Sequence, residues 1–573
     1  MSTLMSGAKM LLECLVREGV EYMFGYPGGV TLPFYDALYD GKLRHILVRH
    51  EENAAFAAGG YARVTGKPGV CCATSGPGAT NLVTGLVDAM MDSIPLVAIT
   101  GQVSTKLIGS DAFQEADTFG ITRSCTKHNY MVKRVEELPE TIHEAFYLAS
   151  SGRPGPVLVD VPKDVFQGQG HYAPVASIHL PGYKVFTEGH TGQIRRAAQL
   201  VMESQRPLVY GGGGVLAAEA SEELREFVEK ADTPAVLTLM GLGALATDHP
   251  NFISMPGMHG SYAANMALTN CDLIIALGVR FDDRVTGRLA AFAPHAKVIH
   301  VDIDPAEIGK NRAPDVPIVG DVKRVLPKIT ALLEAPVKPR EERKAWWKQV
   351  RAWKEEHPYA AVRSDKEIKP QHLMAEIDRI SGGRAVVSSD VGQHQMWAAQ
   401  FLRFKEPRLW VNSGGLGSMG FGLPGAIGAQ FARPDKLVFA LCGDGGFQMS
   451  IPELSTIVSH GLPIKIIIMN NGYLGMVRQW QTLFYANRLS SVTLDCFPDA
   501  ATLAAAYGFK GKTIDKPWEL GPALEAAVAE PGPYLLNVKV TRDENVFPMV
   551  PAGGAINEMV LGPPQPVEEP ALA

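Results

Sequence analysis

The chain lacks any run of the ~18 or more uninterrupted apolar residues that a membrane-crossing helix requires, so no segment is expected to span a bilayer. It lacks basic excess: 54 Lys and Arg stand against 60 Asp and Glu, for a net charge of −6 and a pI near 6.2. Nucleic acid and anionic membrane surfaces, which call for a basic face, are thereby excluded as partners. It lacks paired cysteines. Cys14, Cys71, Cys72, Cys125, Cys271, Cys442 and Cys496 are an odd, scattered set without a CxxC. That is the pattern of reduced thiols packed as small hydrophobes, not of a disulfide frame. No targeting leader is visible. AKMLLECLVREGV (8–20) carries Glu13, Arg17 and Glu18 inside its apolar stretch and reads as an amphipathic helix. No Arg- and Ser-rich transit segment precedes it, so a cytoplasmic protein of bacterial type is expected. No short internal repeat is visible.

What is present is a large apolar budget, 46% of 573 residues, enough for about three domains. Short β-branched runs recur, each leading into a Gly-rich turn and a helical stretch. They are GVCCATSGPGATN (69–81), PLVAITGQ (95–102), GPVLVDVP (155–162), PLVYGGGG (207–214), DLIIALGVRF (272–281), KVIHVDID (297–304), AVVSSDVG (385–392), KLVFALCGDG (436–445) and IKIIIMNNG (464–472). Near-continuous apolar runs indicate strands buried on both faces, hence parallel sheets covered by helices. The predicted class is α/β, with three doubly wound parallel-sheet domains. Two seams divide it: the Gly-, Pro- and His-rich stretch 167–183 and the charged stretch 338–358, whose Trp346, Trp347 and Trp353 are expected to pack on a neighbouring surface. The expected units are 1–166, 184–336, an exposed linker helix within 337–366, 367–550 and a tail, 551–573, loose from about Gly562.

The sharpest chemistry lies in the third unit. Gly443-Asp444-Gly445 ends one predicted strand and Asn470-Asn471 another, with Asp444 and Asn471 27 positions apart. Open α/β sheets bind ligands at the carboxyl ends of their strands. Glycines let the backbone approach an anion, and a carboxylate with an amide oxygen makes a hard donor set suited to Mg²⁺ and phosphate oxygens. This spacing resembles the fingerprint of the thiamine-diphosphate enzymes. The resemblance implies Mg²⁺ held by Asp444, the Asn471 side chain and the Tyr473 carbonyl. It implies cofactor contacts from Gly392, Gln393, His394, Gly417, Gly443, Asp444, Gly445, Gly446, Gly475, Met476 and Val477, with Met419 propping the cofactor in a bent shape. A plain strand-end turn at the glycines and plain core packing for Met419 are the ordinary alternatives.

In the first unit, Glu51 follows the strand HILV and opens an apolar, small-residue helix, AAFAAGGYAR. An ionisable group there is costly if buried, which points to function; helix capping is the rival role. By the same resemblance Glu51 hydrogen-bonds the cofactor's pyrimidine N1′ and promotes loss of the thiazolium C2 proton.

Further segments resemble the acetohydroxyacid synthase large subunits in particular, in the family's order along essentially the whole chain. They include TSGPGATNLVTGL (74–86), GSDAFQEAD (109–117), SGRPGPVLVDVPKD (151–164), GMHG (257–260), RFDDRVTGRL (280–289), GLGSMGFGLPGAIGAQ (415–430) and GMVRQWQ (475–481). The resemblance implies decarboxylation of pyruvate and joining of its two-carbon remnant to a second pyruvate or to 2-ketobutyrate. Phe113, Gln114 and Lys163 are then expected at the mouth over the thiazolium. Arg280 binds the acceptor carboxylate, as a guanidinium fork suits it, and Trp480 presses on the acceptor's alkyl group. For Arg280 a surface ion pair with Asp282 or Asp283 is the alternative.

FAD is implied in the middle unit, near Arg153, Gly212, Gly213, Gly214, Met258, His259, Gly260, Arg280, Asp282, Arg284, Asp302, Ile303 and Asp321. Taken alone, Gly212, Gly214 and Ala217 are a weak dinucleotide signal. A homodimer or tetramer with sites shared between subunits, and a small regulatory subunit, are implied as partners. The sequence departs from the family at Gly446, where Ser is common, and at Glu52 and Asn53, where Gln and a small residue are. The alternatives are another thiamine-diphosphate 2-ketoacid decarboxylase or carboligase, or a non-catalytic flavin-binding scaffold.

Overall fold

The computed structural model describes residues 3–334, 341–359 and 362–563. The expected boundary at 336/337 and residues 564–573 of the expected tail lie outside the described residues.

Three parallel sheets carry the chain, and the nine apolar runs named above supply their central strands. Edge to edge, the first holds Arg44–Leu47, Tyr22–Gly25, Gly69–Ala73, Leu96–Gln102, Pro156–Pro162 and His128–Met131. The second holds Ala235–Leu237, Pro207–Gly211, Leu273–Leu277, Lys297–Asp302 and Val316–Val319. The third holds Trp410–Asn412, Val386–Ser389, Val438–Gly443, Lys465–Asn470, Tyr534–Lys539 and Lys510–Ile514. The central strands are buried along their whole length, as runs without polar alternation must be. Counted within each sheet, the first and third share the order 2-1-3-4-6-5, and the second runs 2-1-3-4-5. The order reverses between strands 1 and 3 in all three, which opens a crevice at their carboxyl ends. The shared order of the first and third sheets has no counterpart in a visible sequence repeat.

A helix from the first unit, Glu51–Thr65, packs across one from the third, Gly422–Ala432, and both are buried almost all round. Small residues allow the approach: a Cβ on Gly60 would lie 2.2 Å from the Gly425 carbonyl oxygen, and one on Gly428 would lie 1.8 Å from that of Ala57. Arg63, on the same helix, is fully enclosed. Its Nη2 reaches Asp88 at 2.9 Å and Asp92 at 2.7 Å, and its guanidinium sits 4.7 Å from the Phe421 ring centre. Asp92 in turn accepts from the Gly414 and Gly415 amides at 3.0 and 2.6 Å.

One segment differs from expectation. The stretch 167–183 contains a strand, Gln169–Tyr172, paired antiparallel with Thr3–Ser6, so the start of the chain is clasped. The helix Glu341–Glu356 packs through its tryptophans, as expected. Trp346, Val350 and Trp353 form a buried stripe, and the Trp346 indole donates to the Pro207 carbonyl at 3.0 Å. Most of its charges are exposed, but Arg343 is buried and donates to the Ser204 and Ala231 carbonyls at 3.2 and 2.5 Å. Ahead of the stretch expected to be loose, the Val550 amide donates to Met258 O at 2.8 Å, and Met549 bridges to Val560.

Gly428→Ala is expected to lower the apparent Tm, at a cost of about 1–3 kcal/mol for overpacking a buried crossing; an unchanged melt would show that the two helices are free to separate. Asp160 gives a second expectation. It is fully buried, accepts from Thr100 Oγ1 at 2.7 Å and Gln102 Nε2 at 3.1 Å, and burial pushes its carboxyl up to about 7. A raised carboxyl favours the fold only while protonated in it, so its contribution is full below about 3.8 and is lost as pH rises through about 7. Asp160→Asn should therefore flatten the fall of Tm between pH 5 and 8, measured by differential scanning fluorimetry.

Candidate functional site

A single cavity of about 1400 Å³ joins the middle and third sheets at their crevices. On the third-sheet side its wall is the loop after Val386–Ser389, the turn 417–419, the turn after Val438–Gly443 and the segment 471–480. Gly392, Gln393, His394, Gly417, Met419, Gly443, Asp444, Gly445, Gly446, Asn471, Tyr473, Gly475, Met476, Val477 and Trp480 all line it.

The local build explains the residue types. Asp444 is 2% exposed; its Oδ2 accepts from the Gly472 amide at 2.9 Å and its Oδ1 from Gly445 at 3.2 Å. Burial pushes its carboxyl up to about 6. Asn471 Oδ1 accepts from the Tyr473 amide at 3.0 Å, while its Nδ2 donates to Gln393 Oε1 at 3.2 Å. Gln393 is fixed in turn by donating to Gln479 Oε1 at 2.8 Å and to Glu544 O at 3.0 Å. His394 is enclosed, and burial lowers its ring to about 4, so it is neutral. Its Nε2 has no partner among the described residues, an orphaned polar atom beside the glycines: a Cβ on Gly443 would lie 2.9 Å from this ring. The wall is thus built of one carboxylate, amides, a neutral imidazole and bare backbone. Among the described residues no cluster of three His, Cys, Asp or Glu side chains could hold a metal alone. A divalent ion here would need further oxygens from a ligand such as a diphosphate.

Asp390, behind the cavity wall, accepts from the Gly420 and Gly422 amides at 3.0 and 3.3 Å and so shapes the turn bearing Met419. A Cβ on Gly446 would lie 2.6 Å from Asp390 Oδ1, which accounts for glycine at the departure from the family's Ser.

On the middle-sheet side the cavity is lined by Arg153, Gly212, Gly213, Gly214, Met258, His259, Arg280, Asp282, Arg284, Asp302, Ile303 and Asp321. Gly260 is not among them; it closes a turn, donating its amide to Gly257 O. Several of these residues also have local work. Gly212 and Gly214 pack on the Gly278 backbone, where a Cβ would come within 2.4 and 2.6 Å. Asp282 and Asp321 cap helices, accepting from the Arg284 and Lys323 amides at 3.1 and 2.8 Å. Arg153 Nη1 pairs with Glu307 at 2.7 Å. Burial raises Asp302 to about 7. Arg280 forms no ion pair among the described residues; it is Arg284 that approaches Asp283, at 3.5 Å. The next residue, Phe281, is buried with φ of 51°, strain of the kind that collects at binding sites. Met240, Arg408 and Asn412 line the same cavity and carry no motif that sequence reading could single out. Asp92 lines it too, at the start of the family-like segment DSIPLVAITGQV (92–103), where nothing marks it as a site residue.

Glu51, Phe113, Gln114 and Lys163 line none of it. They stand together elsewhere, at the carboxyl edge of the first sheet. Glu51 begins the helix after Arg44–Leu47, Phe113 and Gln114 ride the loop after Leu96–Gln102, and Lys163 follows Pro156–Pro162. The turn after Gly69–Ala73 links them: a Cβ on Gly78 would lie 3.3 Å from Glu51 Oε1, and one on Gly76 would lie 2.8 Å from Gln114 O. Glu51 does not cap its helix. His50 does so, its Nδ1 accepting from the Glu52 amide at 3.2 Å, while Glu51 Oε2 accepts from Asn81 Nδ2 at 3.0 Å. Gln114 adopts φ of 60° and Phe113 is 87% exposed. The buried hydroxyls of Thr74 and Ser75, in that turn, have no partner.

Two crevices with hard donors, orphaned polar atoms and glycine-lined backbone define a class of cofactor enzyme, and comparison with known proteins agrees. The chain belongs to the thiamine pyrophosphate enzyme family: the N-terminal TPP binding domain matches residues 5–121, the central domain 194–329 and the C-terminal TPP binding domain 390–538. It is 51% identical to the acetolactate synthase of Mycobacterium bovis over 97% of this chain and 91% of that protein. It is 49% identical to a probable acetolactate synthase large subunit of Methanocaldococcus jannaschii, over 97% and 95%. To the acetolactate synthase isozyme 2 large subunit of Escherichia coli it is 48% identical, over 97% and 99%. Within the family it falls among the acetolactate synthases, as a thiamine pyrophosphate-dependent enzyme.

Proposed function

We propose that this acetohydroxyacid synthase builds each active site from two copies of the chain. The reaction is decarboxylation of pyruvate and transfer of its two-carbon remnant to a second 2-ketoacid. Pyruvate as acceptor gives 2-acetolactate, and 2-ketobutyrate gives 2-aceto-2-hydroxybutyrate. The observation that carries the proposal is the separation of Glu51, Phe113, Gln114 and Lys163 from the cavity that every third-sheet site residue lines. Both edges also expose apolar side chains that a second copy would cover: Leu107, Ile108 and Phe113 on one, Leu416, Met449 and Val477 on the other.

Thiamine diphosphate, when bound, supplies the electron sink for decarboxylation. Asp444, Asn471 and the Tyr473 carbonyl hold Mg²⁺ for its diphosphate, with the free His394 Nε2 and the glycine backbone as further donors. Glu51 exchanges a proton at the pyrimidine N1′ of the copy opposite. Phe113, Gln114 and Lys163 close over the reacting carbon and exclude water. Arg280, free of a carboxylate partner, takes the acceptor carboxylate. Trp480 stands at the mouth and favours the longer acceptor; one methylene in an apolar pocket is worth about 1–3 kcal/mol. The middle-sheet half of the cavity fits an elongated ligand with phosphates near Gly212–Gly214 and hydroxyls near Asp302, and we assign it to FAD, which exchanges no electrons in this reaction. The relatives named large subunits point to a small regulatory partner for this chain as well. Among the described residues no helix is long and apolar enough to cross a membrane. All seven cysteines are free, and we place the enzyme in the cytoplasm.

Glu51→Gln and Asp444→Ala chains should each be inactive in a colorimetric acetolactate assay. Dissociated, mixed and reassembled, they should regain activity, because a mixed pair holds one intact site. A mixture as inactive as its components would place each site within one chain. Gln393→Ala frees the Asn471 amide and should raise the Mg²⁺ concentration needed for thiamine diphosphate binding by about 10–100-fold, read by tryptophan fluorescence.

A further inference from the structure

The carboxylate of Glu453 is fully buried, and no cation among the described residues pairs with it. Its three partners are neutral donors. Oε1 accepts from the Arg49 amide at 2.8 Å and from Asn53 Nδ2 at 3.0 Å; Oε2 accepts from Thr456 Oγ1 at 2.6 Å. The Thr456 hydroxyl also lies 3.3 Å from the Leu47 carbonyl. Glu453 and Thr456 belong to the third unit, in the turn Ile451–Glu453 and the helix Leu454–Ser459 that follow the helix begun by Asp444. Their partners at 47, 49 and 53 belong to the first unit and bracket Glu51.

We infer that Glu453 is a positioning residue for Glu51, a reading that rests on the acid–base role given to Glu51 above. The strand Arg44–Leu47 ends and the helix Glu51–Thr65 begins within four residues, so the direction in which Glu51 leaves the backbone depends on how that turn is held. Glu453 holds it on both sides, by a main-chain amide before Glu51 and a side-chain amide after it. Asn81 holds the carboxyl end of Glu51. A buried carboxylate without a counter-charge is an expensive way to join two units. Here one of its oxygens takes both donors, from the Arg49 main chain and the Asn53 side chain. The pairing also gives a role to Asn53, whose amide stands where a small side chain is common: without Glu453 that amide, 5% exposed, would be a buried donor with nothing to bond. Misplacing a reacting group by an ångström costs about a hundredfold in rate, and a slackened turn a part of that.

The test uses the full chain with Glu453→Ala, Glu453→Gln, Asn53→Ala and, as control, Glu51→Gln. Backbone amide exchange over 47–53 is read by mass spectrometry without cofactor. Exchange of the thiamine diphosphate C2 proton for deuterium is read by NMR after acid quench, with Mg²⁺ and cofactor saturating. In Glu453→Ala, exchange over 47–53 should quicken about tenfold while the sheets keep their protection, and C2 exchange should slow about tenfold. Glu453→Gln, which keeps a carbonyl for the Arg49 amide, should recover most of both. Asn53→Ala should move both readouts the same way by a smaller factor, and it carries the test should Glu453→Ala not fold. C2 exchange within twofold of the unaltered protein in the folded variants overturns the inference, as does a loosening spread evenly over the whole chain. Glu51→Gln separates the two readings. It should abolish C2 exchange and leave amide protection at 47–53 intact; a native C2 rate there would overturn the role of Glu51 instead.

Discussion

The crossing of the helices Glu51–Thr65 and Gly422–Ala432 is the contact on which the rest depends. With Gly60 against Gly425 and Gly428 against Ala57, two backbones touch with no side chains between them. That closeness lets one chain unite its first and third units. It also sets Glu51, at the head of one helix, in a fixed relation to the third unit, whose Met419 turn leads into the other. Arg63, Asp88 and Asp92 add a buried ion cluster at the same junction, and Asp92 extends it to the amides at Gly414 and Gly415, next to the cavity. Such a cluster adds little net stability, but breaking one partner leaves an uncompensated buried charge worth about 3–5 kcal/mol. It fixes one arrangement of the units more than it strengthens it.

The three sheets repeat one solution. Each reverses its strand order between strands 1 and 3 and opens a crevice there. In the third sheet that crevice receives Asp390 to His394 and Gly443 to Gly446. In the second it receives Gly212 to Gly214 and Gly278 to Arg280. In the first it receives the turn with Thr74 and Ser75. The second and third crevices open into a common cavity and the first does not. The edge bearing Glu51 and the cavity lined by Asp444 are thus separate within one chain.

Much of the fold and site was legible in the residues. Runs such as KLVFALC and IKIIIM read as doubly buried strands and are so, and Asp444 and Asn471 stand where those strands end. What stayed hidden had physical reasons. The short strand Gln169–Tyr172 lies in a Gly- and His-rich stretch, and its pairing with Thr3–Ser6 is a long-range bond that no local pattern announces. In the charged helix Glu341–Glu356 the packing of the tryptophans was legible, but the burial of Arg343 was not. Met240 and Asn412 line the cavity by virtue of where their units dock, and Gly260 is not among its lining residues.

Local chemistry was therefore determined by the sequence itself. Apolar runs made strands, glycines made turns, and Asp444, Asn471 and Glu51 stand at strand ends because period and spacing put them there. The tertiary structure alone decided which strand ends share a cavity, that Glu51 turns to Asn81 instead of capping its helix, and that Glu453 reaches across to the turn before it. The reason is one of range. Strand and turn preferences act over a few residues, whereas the meeting of Glu453 with Asn53, 400 positions apart, exists only once two glycine-lined helices have closed on each other.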